Sequence, residues 1–164
     1  MENFVVDNDE FFGTVIALLR EGKNVTIPAK GESMLPFITG GIDSVVLEGV
    51  EGGTPAGSAL RTAKVGDVVL FQTDGRFILH RIIGKDGDKA LIQGDGILKS
   101  KDLCPRDRIY GRVTTVLKGG GAPVDVDSPS YRRKIWLWMH TVSLRRILLG
   151  VWKRLFFKRP VRRS

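Results

Sequence analysis

Ser33 stands in the stretch GESMLPFI, where a plain connecting turn would favour Asn, Asp or Gly and has no use for Met followed by Leu. A serine hydroxyl is a poor nucleophile near neutral pH, so catalysis at Ser33 requires a base within hydrogen-bond reach. His80 and His140 supply the only imidazoles of the chain. His80 lies in ILHRIIG, an apolar, β-branched run, and its ordinary pKa suits a general base near pH 7. The plainer reading of His80 is a histidine packed in a sheet. His140 sits among the tryptophans of the C-terminal segment and reads as a packing or interface residue.

Two aspartates complete the set. Asp95, in GDG, and Asp102, seven residues on, each offer a carboxylate that can hold an imidazole in one tautomer and stabilise its charged form. GDG is also turn chemistry in its own right. Lys85 and Lys89 flank the KDGD hairpin, where a side chain meets water. A catalytic lysine must be desolvated to lose its proton, so neither is expected to be the base.

The totals limit other chemistries. The 164 residues suit one domain with appendages, and 42% hydrophobic residues fit a globular protein. One cysteine, Cys104, excludes an internal disulfide framework, and one cysteine with two histidines is too few for a structural zinc site. The formal charge of +8 is uneven. Eleven of the 26 Lys and Arg residues lie from Tyr131 onward, with no Asp or Glu among them, leaving 15 basic against 18 acidic residues before that point. The basic character belongs to the tail, and the body lacks the basic patch with interleaved aromatics that nucleic acid would require. The N-terminus lacks the basic start, apolar run and small-residue cleavage site of a secretory leader, and no stretch has the roughly 18 apolar residues of a spanning helix. The expected location is the cytoplasm, with a peripheral position on the inner membrane face through the tail.

The elements that must position these residues follow from periodicity. Asp9 to Leu19 reads as an amphipathic helix, capped by Asp7 or Asp9 and followed by Gly22, with Phe11, Phe12, Val15, Ile16 and Leu19 on one face. Strands are expected at 24–30, 43–50, 66–72, 76–84, 89–94 and 108–118, with TDG and KDGD as hairpin turns and 51–63 as a surface loop. The fold class is mainly β (α+β), a coiled, partly barrel-like antiparallel sheet with an N-terminal helix and a basic helical tail. The organisation reads as helix 1–23, β domain 24–118, linker 119–130 and tail 131–164. The tail mixes tryptophans and aliphatic residues with Arg and Lys, as one or two amphipathic helices broken near Gly150, and the final KRPVRRS reads as disordered.

GESMLPFI, GDVVLFQTDGRFILHRIIG, ALIQGDGILKSKD and RIYGRV occur in this order over about residues 25–117. The set resembles the signal peptidase I superfamily, which includes LexA-type self-cleaving proteins, and within it the branch that pairs serine with histidine. The resemblance implies a serine endopeptidase with Ser33 as nucleophile and His80 as base, replacing the lysine of typical bacterial members. It implies Asp102 or Asp95 as orienter of His80, with Asp102 favoured and Asp95 supporting the site or bracing the backbone. It also implies an extended peptide or protein substrate with small residues near the cleaved bond, and no metal or organic cofactor. Gly-Asp-Gly-Ile stands in place of Gly-Asp-Asn-Asn, and Gly31 where some relatives carry a serine that stabilises the oxyanion. The oxyanion hole would then rest on backbone N–H groups around Gly31 and Ser33.

Two other functions fit the same residues. A peptidase fold without appreciable turnover would act as an accessory or binding protein at the membrane surface. A self-cleaving regulator would cut Ala56-Gly57 in TPAGS, although that bond follows the serine box where self-cleaving relatives place it before. The tail itself reads as a helix covering a face of the sheet or as a helix on an anionic membrane surface through 131–158, with nucleic-acid binding by the tail as a third reading. Met34 and Leu35 read as apolar wall, seating the protein near lipid or closing the substrate groove, and Pro36 as a stiffener of the chain after the serine.

Overall fold

The alternating run SVVLEG forms a strand whose Val45, Leu47 and Gly49 turn inward while Ser44, Val46 and Glu48 are less buried, the period of two that a half-buried sheet imposes. A computed structural model of the chain describes residues 8–51, 62–119 and 121–156. Within them, helix α1 (Asn8–Arg20) precedes β1 (Val25–Pro28), β2 (Ser44–Gly49), β3 (Val68–Thr73), β4 (Arg76–Asp86), β5 (Lys89–Gln93), β6 (Asp102–Pro105), β7 (Ile109–Lys118) and β8 (Ala122–Asp125), followed by α2 (Pro129–His140) and α3 (Val142–Phe156). The strands form one antiparallel sheet in the order β1-β2-β7-β3-β4-β5-β6. Since β2 takes one edge of β7, β3 and β8 share the other, at Ile109–Arg112 and Thr115–Lys118.

The mainly β architecture agrees with the sequence reading. The sheet does not close, however, so the barrel likeness goes no further than coiling. Register shifts at Val46/Leu47, Leu70/Phe71 and Ile82/Gly84 bend it, because an extra residue on one strand locally increases twist. All six expected strands are present. Two more, β6 and β8, escape periodicity because DLCP and APVD are four-residue edge segments held by pairing to β5 and β7. The segment read as a linker therefore contains β8 and the start of α2. Asp9 falls inside the first turn of α1, where its charge suits the helix N-terminus. Asp7, most of the loop 51–63 with Ala56-Gly57, and the terminal KRPVRRS lie outside the described residues.

The main core collects Val15 and Leu19 of α1, inward residues of β1, β2, β3 and β7, and Tyr131 and Ile135 of α2. Helix α2 is thus an integral layer of the body. Ser128 caps it by accepting from the Tyr131 amide, and Pro129 occupies the first turn, where a missing N–H is harmless. An ion network around buried Arg112 and Asp67 fastens it further: Arg132 bonds Asp67 and Asp127, and Arg112 of β7 reaches Asp127, Asp67 and Glu48. The hydrogen bonds from Arg112, helped by Arg132, hold the Asp127 carboxyl well below the usual carboxylate range. The helices part at Thr141 and not near Gly150, which continues exposed within α3. The Thr141 hydroxyl donates to Leu137 O at 2.8 Å and Arg145 Nε to Trp138 O at 2.9 Å, so the carbonyls at the end of α2 find donors from the junction itself.

Candidate active site

Ser33 sits on the chain between β1 and β2, in a turn folded by hydrogen bonds from Leu35 N to Glu32 O, Phe37 N and Ile38 N to Met34 O, Gly40 N to Gly31 O and Gly41 N to Ala29 O. Gly31 has φ +76°, a left-handed conformation that favours glycine at this position. Among the described residues, none of these bonds uses the Ser33 amide. The turn is held from beneath. Met34 enters the main core, and Leu35 is fully buried against Trp138 of α2 and Leu149 of α3. Leu35 therefore meets protein, not lipid, and Met34 serves as wall on the core side. Asp43 adds a polar brace, accepting from Thr39 N and Lys118 Nζ, while Lys118 Nζ also bonds Phe37 O.

His80 lies in β4 opposite Val69 of β3 and is 5% exposed. Its Nδ1 is buried without a hydrogen-bond partner, and the nearest carboxylate oxygen in an ion pair with it is Asp102 Oδ2, 3.9 Å away. Burial lowers its pKa below the ordinary 6.5, and the charges of Asp102 and, less, Asp95 offset part of that shift.

The other ring nitrogen and the Ser33 backbone carbonyl both approach Gly94. A Cβ built on Gly94 would lie 2.5 Å from Ser33 O and 3.1 Å from His80 Nε2. Gly96 N donates to Ser33 O at 2.9 Å, and a Cβ on Gly96 would lie 2.9 Å from Glu32 O. The two glycines of GDG let this segment press directly on the Ser33 turn. Among the described residues, no hydrogen bond joins Ser33 to His80.

The aspartates have separate situations. Asp95 is fully engaged by Arg81, with Nε to Oδ1 at 2.8 Å and Nη2 to Oδ2 at 2.7 Å, both side chains being buried. Arg81 also donates to Gly66 O and lies over the Phe37 ring. Asp95 thus braces the turn and sheet, and Asp102, its side chain 37% exposed, is the carboxylate that faces His80. Arg81 was missed from sequence, although a charged residue beside His80 inside an apolar strand signals a buried partner. Cys104, two residues past Asp102, is buried and its thiol is pushed up to about 11, chiefly by that burial. Lys85 and Lys89 are exposed, as expected. His140 is exposed and stacked on Trp136.

Ser33 lines a groove of about 630 Å³, bordered by Ile27 and Gly31 on one side and Phe77 on the other, with Phe11 and Phe12 of α1 at its wall. His80 does not line it. Two strand edges are unpaired there among the described residues: β1 ends the sheet, and Arg76–Leu79 of β4 pair with β3 alone, since β5 ends at Gln93 opposite Arg81. Such edges accept an added extended chain through main-chain hydrogen bonds. Among the described residues, no cluster of His, Cys, Asp and Glu could hold a metal ion. No family model and no curated protein matches the chain.

Proposed function

We propose that the protein is a serine endopeptidase resembling signal peptidases, with Ser33 as nucleophile, His80 as general base and Asp102 as the residue that orients it. The observation that carries this reading is that the Ser33 backbone carbonyl and His80 Nε2 both abut Gly94, which brings the Ser33 turn and the imidazole to the same segment, while Nδ1 faces Asp102. A peptide laid along the edges of β1 and β4 would bring its carbonyl to Ser33. The Ser33 oxygen would attack that carbon as its proton passes to His80 Nε2, and the oxyanion would take the Ser33 amide. Collapse breaks the C–N bond, with His80 returning the proton to the leaving amine. Water, deprotonated by the same imidazole, then attacks the ester carbon, and Ser33 leaves with the proton. The resemblance to signal peptidases implies substrates with small side chains flanking the cleaved bond.

The test is labelling by a fluorescent fluorophosphonate, together with cleavage of a complex peptide mixture read by mass spectrometry, for wild type, Ser33→Ala and His80→Ala. Labelling and cleavage by wild type alone is the expected result. Cleavage that persists in Ser33→Ala removes the assignment. The missing Ser33–His80 hydrogen bond favours a second reading, a peptidase-fold accessory protein without turnover. Peptide binding by both wild type and Ser33→Ala, with neither labelling nor cleavage, would select it.

A further inference from the structure

Helix α3 uses two faces differently. Arg145, Leu149 and Trp152 turn toward the body, where Leu149 packs on Leu35 and Trp138, and Lys153 Nζ lies 3.3 Å from Glu32 Oε2. Leu144, Ile147, Leu148, Val151 and Leu155 form another face and are exposed, Ile147 to 63% and Leu155 to 70%. Their spacing of i, i+3, i+4, i+7 and i+11 gathers them within roughly 100° of the helix circumference. A contiguous apolar stripe of this kind has no reason to face water.

The charges around the stripe identify its partner. Neither α2 nor α3 contains an acidic residue, and Arg146, Lys153 and Arg154 are exposed on the remainder of α3. A second copy would bring the same cations against themselves. Nucleic acid would satisfy the cations but leave the aliphatic stripe in water. A bilayer carrying anionic headgroups satisfies both. The 15-residue helix is about 22 Å long, short of the roughly 30 Å hydrocarbon core, and no described helix is long and apolar enough to cross. It would lie in the interface.

We propose that the Leu144–Leu155 stripe docks the protein on an anionic membrane surface and, through Leu149 and Glu32–Lys153, holds the Ser33 turn beside the bilayer. The docking stands independently of turnover at Ser33. It is tested by flotation of the full chain with vesicles of phosphatidylcholine alone and of phosphatidylcholine mixed with phosphatidylglycerol. Wild type is expected to float with the mixed vesicles only. Binding should fall to background in Ile147→Glu/Val151→Glu/Leu155→Glu and about tenfold or more in Arg146→Glu/Arg154→Glu, given about 1 kcal/mol per cation near such a surface. Circular dichroism and thermal melting are expected to show both variants folded, since every altered side chain is exposed. Equal binding to both vesicle types, no binding, or unchanged binding by the triple variant would overturn the proposal. So would a wild-type dimer in light scattering that the triple variant dissociates, because the stripe would then belong to a second copy.

Discussion

His80 Nδ1 and Asp102 Oδ2 face each other at 3.9 Å, a buried ring nitrogen without a partner opposite a carboxylate that water still reaches. A shift of about 1 Å would turn this separation into a charge-assisted hydrogen bond, and catalytic contacts of this kind often tighten only when substrate is bound. Asp95, in contrast, has both oxygens committed to Arg81.

The two aspartates therefore predict different losses. Asp102→Asn should leave the melting temperature nearly unchanged and lower kcat/KM about 100-fold, because the imidazole loses its orienter and the charge that stabilises its protonated form. Asp95→Asn should destabilise the fold by about 3–5 kcal/mol by leaving Arg81 buried without its counter-charge. Urea denaturation and kinetics on both variants check this. Asp95→Asn with full stability and Asp102→Asn with full activity would reverse the assignment.

The lowered pKa of His80 sets a pH dependence of known sign. The unfolded state takes up a proton near pH 6.5 while the folded state resists, so stability is flat above 6.5 and falls as the pH drops toward the folded value. On the proposed mechanism, the same shift should keep His80 neutral somewhat below pH 6.5 and move the acid limb of kcat/KM below that point. Asp102→Asn, which removes the largest influence opposing the shift, should move that limb lower still. Urea midpoints between about pH 5 and 8 for wild type and His80→Gln, with kcat/KM profiles, measure both effects. A limb above 6.5 would contradict the burial of His80.

Much of this arrangement was legible in the chain, and the remainder was not for identifiable reasons. Ser33 and His80 announce themselves locally, one as an odd residue in a turn and the other as a rare titratable group in an apolar strand. The hairpins carry their own turn residues. The bond between Arg81 and Asp95 spans 14 positions and depends on how β4 and the segment after β5 come together, which no window of sequence contains. Trp138 was legible as apolar, but its seat on Leu35, more than a hundred positions away, exists only once α2 has packed on the body. The break at Thr141 depends on Arg145 reaching back to Trp138 O, whereas Gly150 attracted notice by residue type alone.

Gly94→Ala tests the meeting point of the site. The backbone at Gly94 is not left-handed, so alanine is tolerated locally, but its methyl would stand 2.5 Å from Ser33 O, 3.0 Å from Ile97 Cδ1 and 3.1 Å from His80 Nε2. Ile97 can rotate aside, whereas the Ser33 carbonyl belongs to a hydrogen-bonded turn and must move with it. The expected outcome is a folded protein, by circular dichroism, whose Ser33 labelling falls at least tenfold. Undiminished labelling would mean that the Ser33 turn is not pressed on this segment in solution.

Trp138→Ala separates the two duties of α2. The ring is buried against Leu35 and Leu149 and meets Phe37 edge-on at 5.5 Å. Its removal should cost about 3–5 kcal/mol, as for other large core residues, measurable as a lower urea midpoint. Because Leu35 lies two residues from Ser33, the same cavity should loosen the nucleophile turn. At a temperature where the variant is still folded, hydrogen exchange over residues 32–38 should be faster than in wild type while exchange in β7 is unchanged. If both segments accelerate equally, the ring serves the body as a whole. If only residues 32–38 respond, the packing of α2 is what holds Ser33 in place, and α3, seated on the same cluster, can alter the reactivity of Ser33 through it.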